Sequence, residues 1–422
     1  MVNKGRINVA PGGYVALVGA RVSNEGQIIA PQGSVALGAA ETVSVPIGRT
    51  GKIKLELTPA SINASVANQK GGVIVAEGGQ VYMQAAALGQ AVASALHSGH
   101  IDTSGAQAGA VHVLGDGGQI KVDGSMTANS SGQDDQGQLR KGGDIVIGRD
   151  LDTGALARTT DASGAKLESQ RGFVETSGEH LSTTGTRVKA AEWLLDPYNI
   201  TIASSAPSGT AYGSNYTSAA DSVILASDIS ANLTAGTSVT IATGAGGASA
   251  GDINVNANIE KSGGADATLT LKAHNNIVVA ANTTITSTAG KLNVALNSDS
   301  DGSLFGSSAM NSGSGITSNG GNIRLSGGLY HDTNLSWSYG TATTPHGISL
   351  TSTQISAGGG NISLRGASMT GSYRADGVHI DGGAISTTGG GFIDIQGHST
   401  GTNQFSAGIA VAGGLGQGIW FV

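Results

Sequence analysis

The chain contains no cysteine, so disulfide staples and thiolate metal sites are excluded, while the compartment is left open because secreted proteins can also lack it. Aromatic residues make up 4% and charged residues 12% of the 422 positions, the latter roughly half of the usual quarter. So little aromatic bulk does not fill a wide globular core. Proline occurs 7 times, and glycine follows no three-residue period, which together exclude collagen. No window approaches the ~18 consecutive apolar residues of a membrane-spanning helix. The segment Met1 to Pro11 has no apolar h-region and is not a signal peptide. The net charge is −7 and basic residues do not cluster, so the electrostatic footprint of nucleic-acid binding is missing.

What is abundant is glycine, 69 residues, together with Ala, Val, Ile and Leu. A hydrophobic fraction of 39% separates the chain from disordered sequences. The glycines introduce a recurring phrase. Gly12-Gly13-Tyr14-Val15-Ala16-Leu17 returns as Gln32-Gly33-Ser34-Val35-Ala36-Leu37. Gly-led strands follow at Gly72, Gly79, Gly118 and Gly143, and again as Gly321-Asn322-Ile323, Gly360-Asn361-Ile362 and Gly391-Phe392-Ile393. Gly347-Ile348, Gly377-Val378 and Gly408-Ile409 form a further series. Fixed-period self-similarity is the mark of a solenoid.

Within each phrase apolar and polar residues alternate over four or five positions between turn residues, which predicts half-buried strands. Period-2 alternation puts Ile323 and Leu325 on the inner face and Asn322 and Arg324 on the outer one. Coils of two or three such strands predict a parallel β-helix, an all-β solenoid whose narrow core suits Val, Ile, Leu and Ala. A coil of about 22 residues and a step of ~4.8 Å predict on the order of 19 coils over about 90 Å. Two regions depart from the pattern. In residues 82–98, Leu88, Val92 and Leu96 stand at i,i+4 spacing and admit a short surface helix, a loop or an irregular strand. Residues 130–170 are polar and rich in turn residues, and read as loops extruded from the coils. At Trp193-Leu194-Leu195-Asp196-Pro197-Tyr198 the vocabulary changes from Gly-Gly-led to Ser/Thr/Asn-rich, marking a subdomain boundary.

Candidate sites are sparse. The nine histidines form no HExxH pair; His97 with His100, and His379 with Asp381, are the pairs that could approach a metal, and satisfied surface histidines are the expected reading. Asp144, Asp150 and Asp152 beside Gly142-Gly143 make one imperfect calcium-type glycine-rich unit where tandem units are needed. Asp134, Asp135, Asp144 and Arg149 are the candidates for polysaccharide-cleaving acid/base chemistry, but they sit in a solvated loop. Asn-x-Ser/Thr sequons occur at Asn63, Asn129, Asn199, Asn215, Asn232, Asn282, Asn334 and Asn361, as expected by chance in so Ser/Thr-rich a chain; Asn361 also fits an Asn ladder at a coil corner. No catalytic residue, cofactor or metal ligand is assigned.

The string Gly172-Phe173-Val174-Glu175-Thr176-Ser177-Gly178, followed by Ala191-Glu192-Trp193-Leu194-Leu195-Asp196-Pro197-Tyr198-Asn199-Ile200-Thr201-Ile202, resembles a signature of filamentous haemagglutinin-like exoproteins and high-molecular-weight adhesins of Gram-negative bacteria. Residues 20–45 look like the end of the two-partner-secretion domain of that family, and residues 99–148 and 251–279 look like its later coils. The resemblance implies three segments: residues 1–48, the end of the secretion domain; 49–196, Gly-Gly-led coils with loop excursions; and 197–422, Ser/Thr/Asn-rich repeats. It also implies a right-handed β-helix, secreted through an outer-membrane β-barrel transporter and displayed on the cell surface as a non-enzymatic adhesin stalk that contacts host glycans or receptors. A signal peptide and an Asn-Pro-rich transporter-recognition motif belong upstream of residue 1 in that family. The pattern is also still running at Trp420-Phe421-Val422, without the polar cap that solenoid ends need. This chain is therefore expected to be an internal or truncated segment of a larger exoprotein, not exported by itself. Two alternatives remain: the passive stem of a contact-dependent inhibition toxin or haemolysin, and a β-helical polysaccharide-degrading enzyme.

Overall fold

The structure, a computed structural model, describes residues 1–44, 56–88, 91–206, 222–244, 250–329, 336–369, 375–399, 406–412 and 420–421. Two compact units are formed, one from Met1–Asp196 and the other from Pro197–Pro207 with Asp221–Val422.

In the first unit the first five coils pass through three short strands each, and in the last two the second and third positions merge into the long strands Lys166–Ser177 and Arg187–Asp196. The opening coil uses Val2–Asn3, Arg6–Asn8 and Tyr14–Val18, and the next Arg21–Asn24, Gln27–Ile29 and Ser34–Ala39. Every strand pairs in parallel with its counterpart in the neighbouring coil. The first strands make a seven-stranded sheet from Val2–Asn3 to His180–Ser182, and the third strands stack as Tyr14↔Ser34↔Gln80↔Ala110. The unit is a parallel β-helix. Its core is built of aligned columns, because parallel in-register stacking places like positions over one another. One column runs Val15, Val35, Val81, Val111, Ile145, Val174, Trp193, all buried.

Glycine marks the corners for a steric reason. A Cβ on Gly33 would lie 1.8 Å from the Gly13 carbonyl oxygen, one on Gly79 1.5 Å from that of Gly33, and one on Gly109 1.7 Å from that of Gly79. Only a residue without Cβ lets consecutive coils approach this closely. A polar column lines another corner. The Asn3 side-chain amide donates to Asn24 Oδ1 and that of Asn24 to Asn68 Oδ1, both at 2.8 Å. Asn68 Nδ2 then meets His97 Nδ1 at 3.2 Å.

Several coils are longer than the 22-residue expectation. Register partners are 20 residues apart at Tyr14↔Ser34 and 19 at Phe173↔Glu192, but 46 at Ser34↔Gln80, 30 at Gln80↔Ala110 and 34 at Val111↔Ile145. Three strands and extruded loops lengthen those turns. One extrusion pairs Thr42–Ser44 antiparallel with Glu56–Thr58 and lays Val43 and Leu57 on Ala36, against which Ala16 and Tyr82 also pack. The described part of residues 82–98 is two strands with irregular chain outside them, not helix: Gln80–Ala86 and Ala93–His97 are both paired, and Leu88 and Val92 are exposed. Residues 130–170 do carry extruded turns, bridged at Gln133↔Leu139 and Arg149↔Leu156, around the strands Asp144–Ile147 and Thr159–Asp161.

The second unit follows the same plan. The Gly-led phrases fall in register as Ile323↔Ile362↔Ile393 and as Ile348↔Val378↔Ile409. Ile323 and Leu325 face inward, while Asn322 is exposed and Arg324 half-buried. Asn361 lies just before its strand, and its amide takes part in a side-chain-to-backbone ladder rather than an amide stack. Asn293 Oδ1 accepts from Asn322 N–H, Asn322 Oδ1 from Asn361 N–H, and Asn361 Oδ1 from Phe392 N–H, at 2.9 to 3.1 Å. The helix Ala226–Thr234 takes the place of a second strand. It satisfies the adjacent strand edge with hydroxyls, since Ser230 Oγ accepts from Glu260 N–H at 2.9 Å and Thr234 Oγ1 from Ser262 N–H at 3.1 Å. A Schellman pair ends it, Gly236 N–H to Leu233 O and Thr237 N–H to Asn232 O. Among the described residues no helix is long and apolar enough to cross a membrane.

Candidate functional site

The two halves of the 172–197 string lie one upon the other. Phe173 pairs with Glu192, Val174 with Trp193, Glu175 with Leu194, Thr176 with Leu195 and Ser177 with Asp196. Their spacing is thus one coil. Val174, Thr176, Trp193 and Leu195 point into the core and are buried. Trp193 is 0% exposed, and its indole N–H would be stranded in an aliphatic column. Thr176, in the adjacent column, accepts that N–H at 3.1 Å. Gly172 and Gly178 are small for the corner: a Cβ would meet Ser169 Oγ at 2.0 Å and Thr160 Oγ1 at 2.9 Å respectively.

Glu175, although on the outward side of its strand, is only 2% exposed, and it meets the loop carrying Arg149. Arg149 Nε stands 3.2 Å from Glu175 Oε1, and its Nη2 pairs with Asp196 Oδ2. Ser177 Oγ donates to the same Glu175 oxygen at 2.6 Å. A guanidinium between two mostly buried carboxylates offsets their desolvation and ties loop to coils. Pro197 opens the second unit.

Among the described residues the other sequence candidates do not converge into a ligand cluster, although Asp144, Asp150 and Asp152 all bear on His112. Asp134 Oδ1 accepts from the N–H groups of Gln136 and Gln138 within its own turn. Arg149 joins Glu175 and Asp196 instead of Asp134, Asp135 or Asp144. Asp150 Oδ1 caps its turn through the N–H groups of Asp152 and Thr153. His97 is not a surface residue: it is 0% exposed, and its Nε2 meets Ser125 O at 3.1 Å. Burial pushes its pKa down to about 4, only partly offset by the bond to Ser125. His100 instead meets Ser125 Oγ at 2.8 Å. Of the sequons, Asn63 and Asn282 are exposed and Asn232 is buried; Asn215 and Asn334 lie outside the described residues.

Two features escaped the sequence reading. His379 finds Asp376, not Asp381: its Nδ1 is 2.9 Å from Asp376 Oδ2, and His346 Nδ1 is 3.4 Å from the same oxygen. The second is an open groove of about 820 Å³ beside the helix Ala226–Thr234, lined by Ser204, Ser230, Asn256, Asn258, Glu260 and Asn282 among others. Its walls offer hydroxyls, amides and one carboxylate. The tandem position of His346 and Asp376, each just before the Gly of a repeated phrase, was the available signal for the first; the groove had none, since it depends on the helix.

No protein-family model matches the chain, and no curated protein matches it.

Proposed function

We propose that the chain is a non-enzymatic segment of a surface adhesin, a β-helical stalk whose polar exterior makes weak, repeated contacts with glycans or neighbouring cells. The observation that carries this reading is the division of labour between core and surface. Aliphatic columns and stacked glycine corners are spent on stiffness, and the one dense ionic cluster of the 172–197 string, Arg149 with Glu175 and Asp196, is mostly buried and structural. What faces outward is rich in Ser, Thr and Asn, as in the groove beside Ala226–Thr234, and such groups suit carbohydrate hydroxyls. Many weak contacts along a repeated surface become firm through avidity. The resemblance of residues 172–202 to filamentous haemagglutinin-like exoproteins extends the proposal to a secreted parent protein that leaves the cell through an outer-membrane β-barrel partner.

The test is binding of the purified chain to a glycan array and to epithelial cells, beside a heat-unfolded control. Saturable, fold-dependent binding supports an adhesive surface within these residues. Binding equal to the unfolded control refutes it and leaves a spacer.

A further inference from the structure

His346, Asp376 and His379 come from two neighbouring coils, since the phrase after His346 pairs with the phrase after Asp376 as Ile348↔Val378. Their donor atoms all lie within 4.8 Å of one another. We propose that these three side chains form a binding site for a divalent transition-metal ion of the zinc class, which staples the two coils together.

Three observations carry this. First, the carboxylate is pre-aimed. Asp376 is 4% exposed, and its Oδ1 is engaged by the Ala407 N–H at 2.8 Å, leaving Oδ2 turned toward both rings. Second, the two nitrogen–oxygen spacings fit: ligand atoms each about 2.1 Å from one ion, at octahedral to tetrahedral angles, lie roughly 3.0 to 3.4 Å apart. Oδ2 stands 2.9 Å from His379 Nδ1 and 3.4 Å from His346 Nδ1. Third, two acceptors face each other without a proton between them. His346 Nδ1 accepts the Asp376 N–H at 3.0 Å, so its single lone pair is unprotonated and would exchange that N–H for the ion, and the carboxylate oxygen nearby is also a bare acceptor. A cation relieves that opposition. The imidazoles stack at 4.4 Å with 23° between planes.

On binding, the neutral His379 ring carries its one proton on Nε2 in place of Nδ1, and the Nδ1 lone pair goes to the ion. Two nitrogens and one oxygen favour zinc, cobalt or nickel over calcium and magnesium, which seek oxygen shells. Remaining positions are open to water, because both rings are partly exposed.

The experiment strips the whole chain with EDTA, dialyses it against zinc chloride, and measures retained zinc and Tm. Expected is a single retained equivalent and a Tm rise of roughly 5–10 °C at 100-fold excess over Kd. His379→Ala removes both, with the circular dichroism spectrum unchanged. His379→Gln serves if the alanine variant does not fold. Failure of the unaltered chain to retain zinc, equal retention by the variant, or an equal Tm rise with calcium would each overturn the site.

Discussion

Replacing His97 by Asn probes the polar column at its most sensitive point. Asn68 and Ser125 hold the imidazole in the interior, and an Asn continues the amide chain without titrating. In the folded chain, burial lowers the His97 pKa from 6.5 to about 4, with the positive field of His100 adding to it and Ser125 and Asp123 opposing. Between those values the unfolded chain binds a proton that the folded chain does not, so stability falls as pH falls through that window. At ~1.36 kcal/mol per pKa unit, the drop from 6.5 to about 4 corresponds to about 3 kcal/mol lost by pH 4. The assay is urea unfolding from pH 7.5 to pH 4, followed by the fluorescence of Trp193, with Trp337 and Trp420 changed to Phe in both proteins. The difference between the parent and its His97→Asn variant isolates this one group from all other titrations. It should be flat above pH 6.5 and grow below it in favour of the variant. Parallel curves across the range would refute a buried neutral imidazole.

The glycine corners and the face assignment have their own tests. Gly79→Ala forces a Cβ to within 1.5 Å of the Gly33 carbonyl oxygen, whereas at Gly5 nothing lies within 4 Å. The first should cost about 2–3 kcal/mol and the second within about 0.5 kcal/mol, read from urea midpoints. Equal effects would show that the corner is not sterically closed. Ile362 is fully buried between Ile323 and Ile393, so Ile362→Asp places an unpaired charge in the core at a cost of several kcal/mol. Limited proteolysis should then cut the second unit readily, and unchanged resistance would mean that its strand faces are inverted.

How far the sequence reading reached follows from its periodicities. Alternation and the Gly-led phrases located the strands, their inner faces and the parallel solenoid, because in-register stacking repeats the same local rules in every coil. Those phrases did not reveal which face each strand joins: Gly118 opens a first strand, Gly72 a second and Gly79 a third. The i,i+4 spacing misled in both directions. Four residues return a side chain to nearly the same side of a helix and to the same side of a strand, so Leu88, Val92 and Leu96 admitted a helix where Leu96 lies in a strand and Leu88 and Val92 lie outside one. Ile229 and Leu233 drew no notice, where a helix does. His97 was legible in principle, since it occupies the place before Gly99 that Asn24 holds before Gly26.

The sequence by itself determined the all-β class, the solenoid, the columns of Val and Ile and the need for glycine at the corners, all consequences of local alternation and small side chains. Only the tertiary structure decided what depends on distances between coils. Those are the stacking of Trp193 on Val174, the clasp of Arg149 on Glu175 and Asp196, the inward turn of His97, and the meeting of His346 with Asp376 and His379. These residues stand from 3 to 47 positions apart in the chain, and neither coil length nor loop path, which fix who meets whom, is written in any local pattern.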